Sequence, residues 1–236
     1  MAKNSMVLFL SFLAITVQYI LYMFYGAQEC FPYINNIAYS DDVRTNLVQV
    51  MLAFFPIPLY SFICYGYVRN NIVRDSYMKI IRSYSRIRIW IRNKVRLICA
   101  IGCIALFQIG IYVLFDCNTQ YSVSIVWKYL GAIICYYVFL IMLLSFQMLV
   151  ELFANADIAL VIINIFYLVS ILVGNFLLKH RLKYMLYILF PNLMFSNRNA
   201  IMDGNINNFY IFGYVIIISI IINIVSFIKY KRMDII

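Results

Sequence analysis

Six stretches of this chain are apolar for so long that water cannot be their solvent: Met6 to Tyr25, Leu47 to Val68, Leu97 to Phe115, Trp127 to Val150, Ile158 to Leu178 and Phe209 to Ile228. Crossing a hydrocarbon core takes roughly 20 residues at about 1.5 Å rise each, and each stretch is close to that length. Inside a bilayer every backbone polar group must be satisfied within its own segment, so each stretch reads as a helix. Barrel strands would alternate polar and apolar residues, and these runs do not. The fold class that follows is all-α: a polytopic membrane protein with six transmembrane helices. Composition agrees, with 65% hydrophobic and 12% charged residues, against about 45–50% and about 25% in soluble domains. A soluble fold of 236 residues could not hide that much apolar surface. The whole chain, 1–236, reads as a single transmembrane domain. Lys3 precedes an apolar run without a small-x-small cleavage site, so the first run is read as a retained span and not a signal peptide.

The connections between the runs set the orientation. The first holds Glu29, Asp41, Asp42 and Arg44, a net charge of −2, and belongs outside. The second, Arg69 to Arg96, holds nine Lys and Arg residues and one acid, Asp75, a net charge of +8, and belongs in the cytoplasm. The third holds Asp116 and no base, and fits outside; the fourth, around Glu151 to Asp157, is a tight turn inside. The tail Lys229-Tyr-Lys-Arg232 is basic. Both termini are therefore expected in the cytoplasm, with the bacterial plasma membrane as the location. The fifth connection is basic although alternation puts it outside. Within it, Leu182 to Phe190 is apolar, too short to span, and stops at Pro191. It is expected to be an interfacial or re-entrant element on the outer side.

The net charge of +10 points to a membrane surface rather than nucleic acid, because the basic residues flank apolar spans. Within the basic connection, Tyr77, Ile80, Ile81 and Tyr84 follow i, i+3, i+4, i+7, one helical stripe, with Lys79 and Arg82 off it. Asp75 or Ser76 can cap the start of that helix. The expectation is a short amphipathic helix over Asp75, Ser76, Tyr77, Met78, Lys79, Ile80, Ile81 and Tyr84, docking into a groove on a cytoplasmic partner. Arg86, Arg88, Trp90, Arg92, Lys94 and Arg96 follow as an interfacial helix. There the cations snorkel to anionic headgroups while Trp90 and the isoleucines dip into the acyl boundary of the lipid bilayer. The bland alternative is lipid anchoring alone. Pro56 and Pro58 remove two amide donors from the second span, which makes them a candidate hinge or else a kink satisfied by neighbours.

This layout resembles the permease subunit of a type 2 ATP-binding-cassette exporter. Four features carry the resemblance: six spans with both ends inside; Met78 to Lys94, similar to that family's coupling helix and turn; Leu186-Tyr-Ile-Leu-Phe-Pro191-Asn, similar to its extracellular re-entrant element; and the basic ending Ser226 to Ile235. The family's glutamate, glycine and threonine ahead of the coupling helix are replaced here by Arg69, Asn70, Asn71, Asp75 and Ser76. The resemblance implies a transport subunit with no cofactor of its own, since no phosphate-binding glycine loop is present. It implies that ATP and magnesium are held by a cytoplasmic ATPase present twice. A second permease chain, identical or related, would complete the pathway. Short permeases rich in Ile, Tyr and Asn are also similar to subunits that expel antimicrobial peptides from the membrane, in peptide resistance or immunity.

Chemistry in the chain itself is sparse. No nucleophile–base motif is present, and no acid sits near a span centre, which counts against an intramembrane enzyme. The six cysteines form no Cys-x-x-Cys pair, and the single histidine is His180, so a zinc site is not expected. Cys30 and Cys117 share the outer side in this topology and are candidates for a disulfide. Of the amides in the spans, Asn164 and Asn175 are the first expected to make contacts within the bundle. Besides an exporter subunit, the sequence supports a scaffold or sensor that holds a cytoplasmic partner through the basic connection.

Overall fold

The computed structural model describes residues 2–24, 50–51, 53–66, 68, 86–115, 123–180, 182, 185–194 and 208–232. Among them every regular element is helical. In chain order these are α1 (Ala2–Phe24), α2 (Ile57–Cys64), α3 (Arg86–Phe115), α4 (Val123–Phe153), α5 (Ala156–Lys179), the single turn α6 (Met185–Ile188), a 3-10 turn (Phe190–Met194) and α7 (Asn208–Arg232). Four stretches are long and apolar enough to cross a membrane: Trp90–Ile111, Ile134–Phe153, Ala156–Leu177 and Gly213–Tyr230. The other two expected spans take different forms. The first lies within α1, one helix of 23 residues, and the apolar stretch recognised among its described residues is Phe9–Leu21. The second is interrupted: helical residues 53–54 lead into a turn at Phe55 and Pro56, and α2 starts afresh at Ile57. Proline explains the break, because Pro56 and Pro58 offer no amide to the preceding turn. Phe55 N donates to Met51 O at 3.0 Å on the near side of the break and Tyr60 N to Pro56 O at 3.1 Å on the far side.

The helix α4 is the centre of the bundle. It packs against α7, α5, α3, α2 and the 3-10 turn, while α1 leans on α2 and α3. The outer helices bury only a narrow stripe. In α5 the stripe is Ala159, Ile163, Tyr167, Ser170 and Ile171, at steps of three and four residues. Its outward face, Ile158, Val161, Ile165, Val169, Leu172 and Phe176, is just as apolar. Apolar residues on both the inward and the outward face are the mark of a helix that meets lipid rather than water. Several polar side chains in these helices satisfy themselves on their own backbone, as Thr16 Oγ1 does to Phe12 O at 3.0 Å and Asn223 Nδ2 to Ser219 O at 2.7 Å.

Three sequence expectations are modified. The interfacial helix and the third span are one continuous helix, α3, of 30 residues, about 45 Å long. Nothing between Arg86 and Leu97 breaks a helix, and the Arg–Ile alternation only distributes both residue types around it. The fourth connection shrinks to Ala154 and Asn155, with Glu151 already inside α4 and Asp157 in the first turn of α5. Pro191 does not stop its segment. It sits second in the 3-10 turn, a position that tolerates a missing N–H. That turn is inserted between helices: Leu186, Phe190, Pro191, Asn192, Leu193 and Met194 are all buried. Asn192 Nδ2 donates to Ser170 O at 2.9 Å, and the Phe190 ring lies 5.3 Å from Phe166 and 6.4 Å from Phe146. Phe166 is ten residues inside α5, about 15 Å from its start, so Phe190 reaches deep into the bundle.

Candidate functional site

Two features at one end of the bundle stand out, a buried polar seam and an exposed basic ridge. The seam is set by the register of α3 against α4. Tyr137 Oη donates to Gln108 Oε1 at 2.7 Å, both residues buried. Fourteen residues away on each antiparallel helix lie Lys94 and Glu151, about 21 Å along the axis. The helix α2 packs against α4 beside this line. Gln147 Nε2 donates to Ser61 O at 2.9 Å, tying α4 to α2. Tyr60, one residue earlier, is fully buried within electrostatic reach of Tyr136, Tyr137 and Tyr167. Cys64, one turn later, is fully buried within reach of both Lys94 and Glu151. Along this seam Tyr60 Oη, Ser61 Oγ, Asn93 Nδ2, Lys94 Nζ, Gln108 Nε2 and Gln147 Oε1 are buried atoms with no hydrogen-bond partner among the described residues. Glu151 is only 6% exposed. Among the described residues no three His, Cys, Asp or Glu side chains come together as metal ligands.

The ridge is the start of α3. Arg88, Arg92 and Arg96 are exposed at i, i+4 and i+8, beside exposed Ile91, Val95 and Ile98. Repulsion between cations at this spacing is modest, a few tenths of a kcal/mol per pair, about 0.2–0.5. Trp90 points the other way. It is 5% exposed and its ring stacks on Tyr230 of α7 at 5.6 Å. This corrects the expectation that Trp90 dips into lipid: its partner is another helix. Lys94 also turns inward, its Nζ 5.2 Å from the Trp90 ring centroid, a cation–π contact in place of a snorkel to the headgroups. The same end carries Lys229 Nζ over the Phe153 ring at 5.0 Å and a short hydrogen bond from Tyr65 Oη to Asp157 Oδ1. That bond joins the end of the interrupted second span to the start of α5. The chain leaves it through Gly66 at φ 68°, a left-handed conformation that a residue with Cβ adopts only at a cost.

The residues singled out from the sequence are distributed as follows. Arg88, Trp90, Arg92, Lys94 and Arg96 come to this end of the bundle, three of them on the ridge and two inside. Arg86 begins α3. Pro56 lies in the turn before α2 and Pro58 in the first turn of α2; just before them the Tyr167 hydroxyl from α5 reaches Ala53 O at 3.5 Å. Residues 69–85 lie outside the described residues, and with them Asp75, Ser76, Tyr77, Met78, Lys79, Ile80, Ile81 and Tyr84. So do Cys30 and Cys117. Asn164 does not join helices as expected: its Nδ2 donates to Leu160 O of its own helix at 2.8 Å. Gln108, Gln147 and Asn192 are amides that do bond between helices. Tyr60, Tyr137 and Glu151 were not anticipated as seam residues. Their sequence signal is spacing alone, since Tyr137, Gln147 and Glu151 share one face of α4.

The profile of a family described as "Protein of unknown function (DUF2705)" matches residues 11–236. A Bacillus subtilis (strain 168) protein, "Uncharacterized protein YybK", is 26% identical over 242 residues, covering 96% of this chain and 94% of that protein. No solved structure matches. These findings overturn the resemblance to type 2 ATP-binding-cassette permeases, because the profile that accounts for nearly the whole chain is a different one. The physical reason for the mistake is that its four supporting features are generic. Span length, cytoplasmic basic segments and a basic closing helix are imposed by the bilayer on polytopic proteins of many families.

Proposed function

The chain belongs to the DUF2705 family, and on that premise we propose that it is a polytopic scaffold of the bacterial plasma membrane that holds a cytoplasmic protein through its basic connection. The observation that carries this reading is the mounting of that connection. It enters from Gly66, beside the Tyr65–Asp157 hydrogen bond, and leaves into α3, whose Trp90 is locked on Tyr230. Residues 69–85 carry a net charge of +3 (Arg69, Arg74, Lys79 and Arg82 against Asp75), and a basic segment held at both ends on the bundle is suited to presenting a surface. The ridge of Arg88, Arg92 and Arg96 faces outward, and in this reading it meets anionic headgroups and fixes the bundle at the leaflet. The stripe Tyr77, Ile80, Ile81 and Tyr84 is left to take the partner's groove.

In this reading the basic end faces the cytoplasm, both termini lie on that side, and α1 and the proline-broken segment complete six crossings. The segment Met185–Met194 enters the bundle from the outer side. The Bacillus relative supports a bacterial setting.

The test is copurification of the full-length protein from detergent extracts. An Ile80→Asp/Ile81→Asp variant is expected to insert normally and to lose the soluble protein that the unaltered chain retains. Retention of that protein by the doubly charged variant sinks the assignment.

A further inference from the structure

The seam between α2, α3 and α4 concentrates what a membrane protein normally avoids. Six buried polar atoms along it have no hydrogen-bond partner among the described residues. Leaving one such group dry in a hydrocarbon surrounding is costly, and here they share one seam. They also complement one another. Lys94 Nζ, Asn93 Nδ2 and Gln108 Nε2 offer protons, Gln147 Oε1 accepts, and the Tyr60 and Ser61 hydroxyls do both. Exchanging O and N does not remove the problem. Gln147 must keep its nitrogen toward Ser61 O, and either amide atom of Gln108 can meet the Tyr137 hydroxyl, which leaves the other one orphaned.

The guest that satisfies such a set is small, neutral, and both donor and acceptor. Lys94 and Glu151 bring opposite charges to the mouth, so the seam has no net charge that would select an ion. Ile101, Ile104, Leu140 and Leu144 are buried on the same two helices. Water fits, since a buried water typically bridges two to four polar groups. We infer that the seam is a hydrated inlet: ordered water enters beside Lys94 and Glu151 at the basic end and reaches inward to the Gln108–Tyr137 hydrogen bond, which closes it. The inference concerns side chains inside the bundle and does not depend on partner docking.

Two measurements on the full chain in lipid nanodiscs test it. Hydroxyl radicals generated from bound water by X-ray pulses label the side chains next to that water. Tyr60 and Tyr137 are expected to label well above Phe139, an equally buried ring off the seam face of α4. The second measurement is the thermal midpoint of Tyr60→Phe. A hydroxyl bonded to water makes the variant less stable, whereas a dry orphan hydroxyl makes it more stable. Labelling of Tyr60 and Tyr137 no faster than Phe139, or a midpoint raised by Tyr60→Phe, overturns the inlet.

Discussion

Several hydrogen bonds join helices among the described residues, three of them through amide side chains. Tyr137 bonds Gln108, Gln147 bonds Ser61 O, and Asn192 bonds Ser170 O. Such bonds within membranes contribute ~0.6 kcal/mol on average and up to about 1.7. A double-mutant cycle of Tyr137→Phe and Gln108→Leu should therefore give a coupling near 1 kcal/mol in reversible unfolding, and no coupling would remove the bond from the account. Trp90 makes a larger claim. Buried against Tyr230, it should cost about 3 kcal/mol when replaced by alanine, as aromatic truncations in cores do. A Trp90→Ala protein as stable as the parent would return Trp90 to the lipid. Neither pairing could be read along the chain. Trp90 and Tyr230 sit in distant segments, and a tryptophan beside arginines at a span end fits the aromatic belt equally well. Glu151 likewise looked like a turn acid, because Cys64, the side chain within reach of it, arrives from another helix.

At the scale of elements, local physics was the more legible part. The break before α2 follows from Pro56 and Pro58 alone, and the apolar helices follow from run length and the demands of backbone satisfaction. The turn between α4 and α5 was placed within a few residues. What run length does not reveal is continuity, and so Arg86 to Phe115 was divided where the structure has one helix. Depth was also hidden. That Phe190 to Met194 is buried depends on Phe146, Phe166 and Ser170 making room, not on its own composition. Two substitutions probe this scale. Gly66→Ala forces a Cβ into φ 68° and should lower stability by about 1 kcal/mol. Asn192→Ala removes a buried amide that bonds both Ser170 O and Leu189 O at 2.9 Å, at an expected cost of about 1–3 kcal/mol. If Asn192→Ala leaves the melting midpoint unchanged, the 3-10 turn is not held in the bundle by that side chain.

For the whole molecule, the arrangement is polarised. The ends of α2, α4 and α7 and the starts of α3 and α5 meet on one side, together with the arginine ridge, the Tyr65–Asp157 bond and the mouth of the polar seam. The proposed docking of a cytoplasmic partner requires that this side face the cytoplasm. Asn155, exposed in the two-residue turn between α4 and α5, marks it. The most direct test is an Asn155→Cys variant, in a chain whose six native cysteines are replaced, treated with a membrane-impermeant maleimide. Labelling in inverted membrane vesicles and none in intact cells is the expected result. Labelling of intact cells would put the basic end outside and contradict the account.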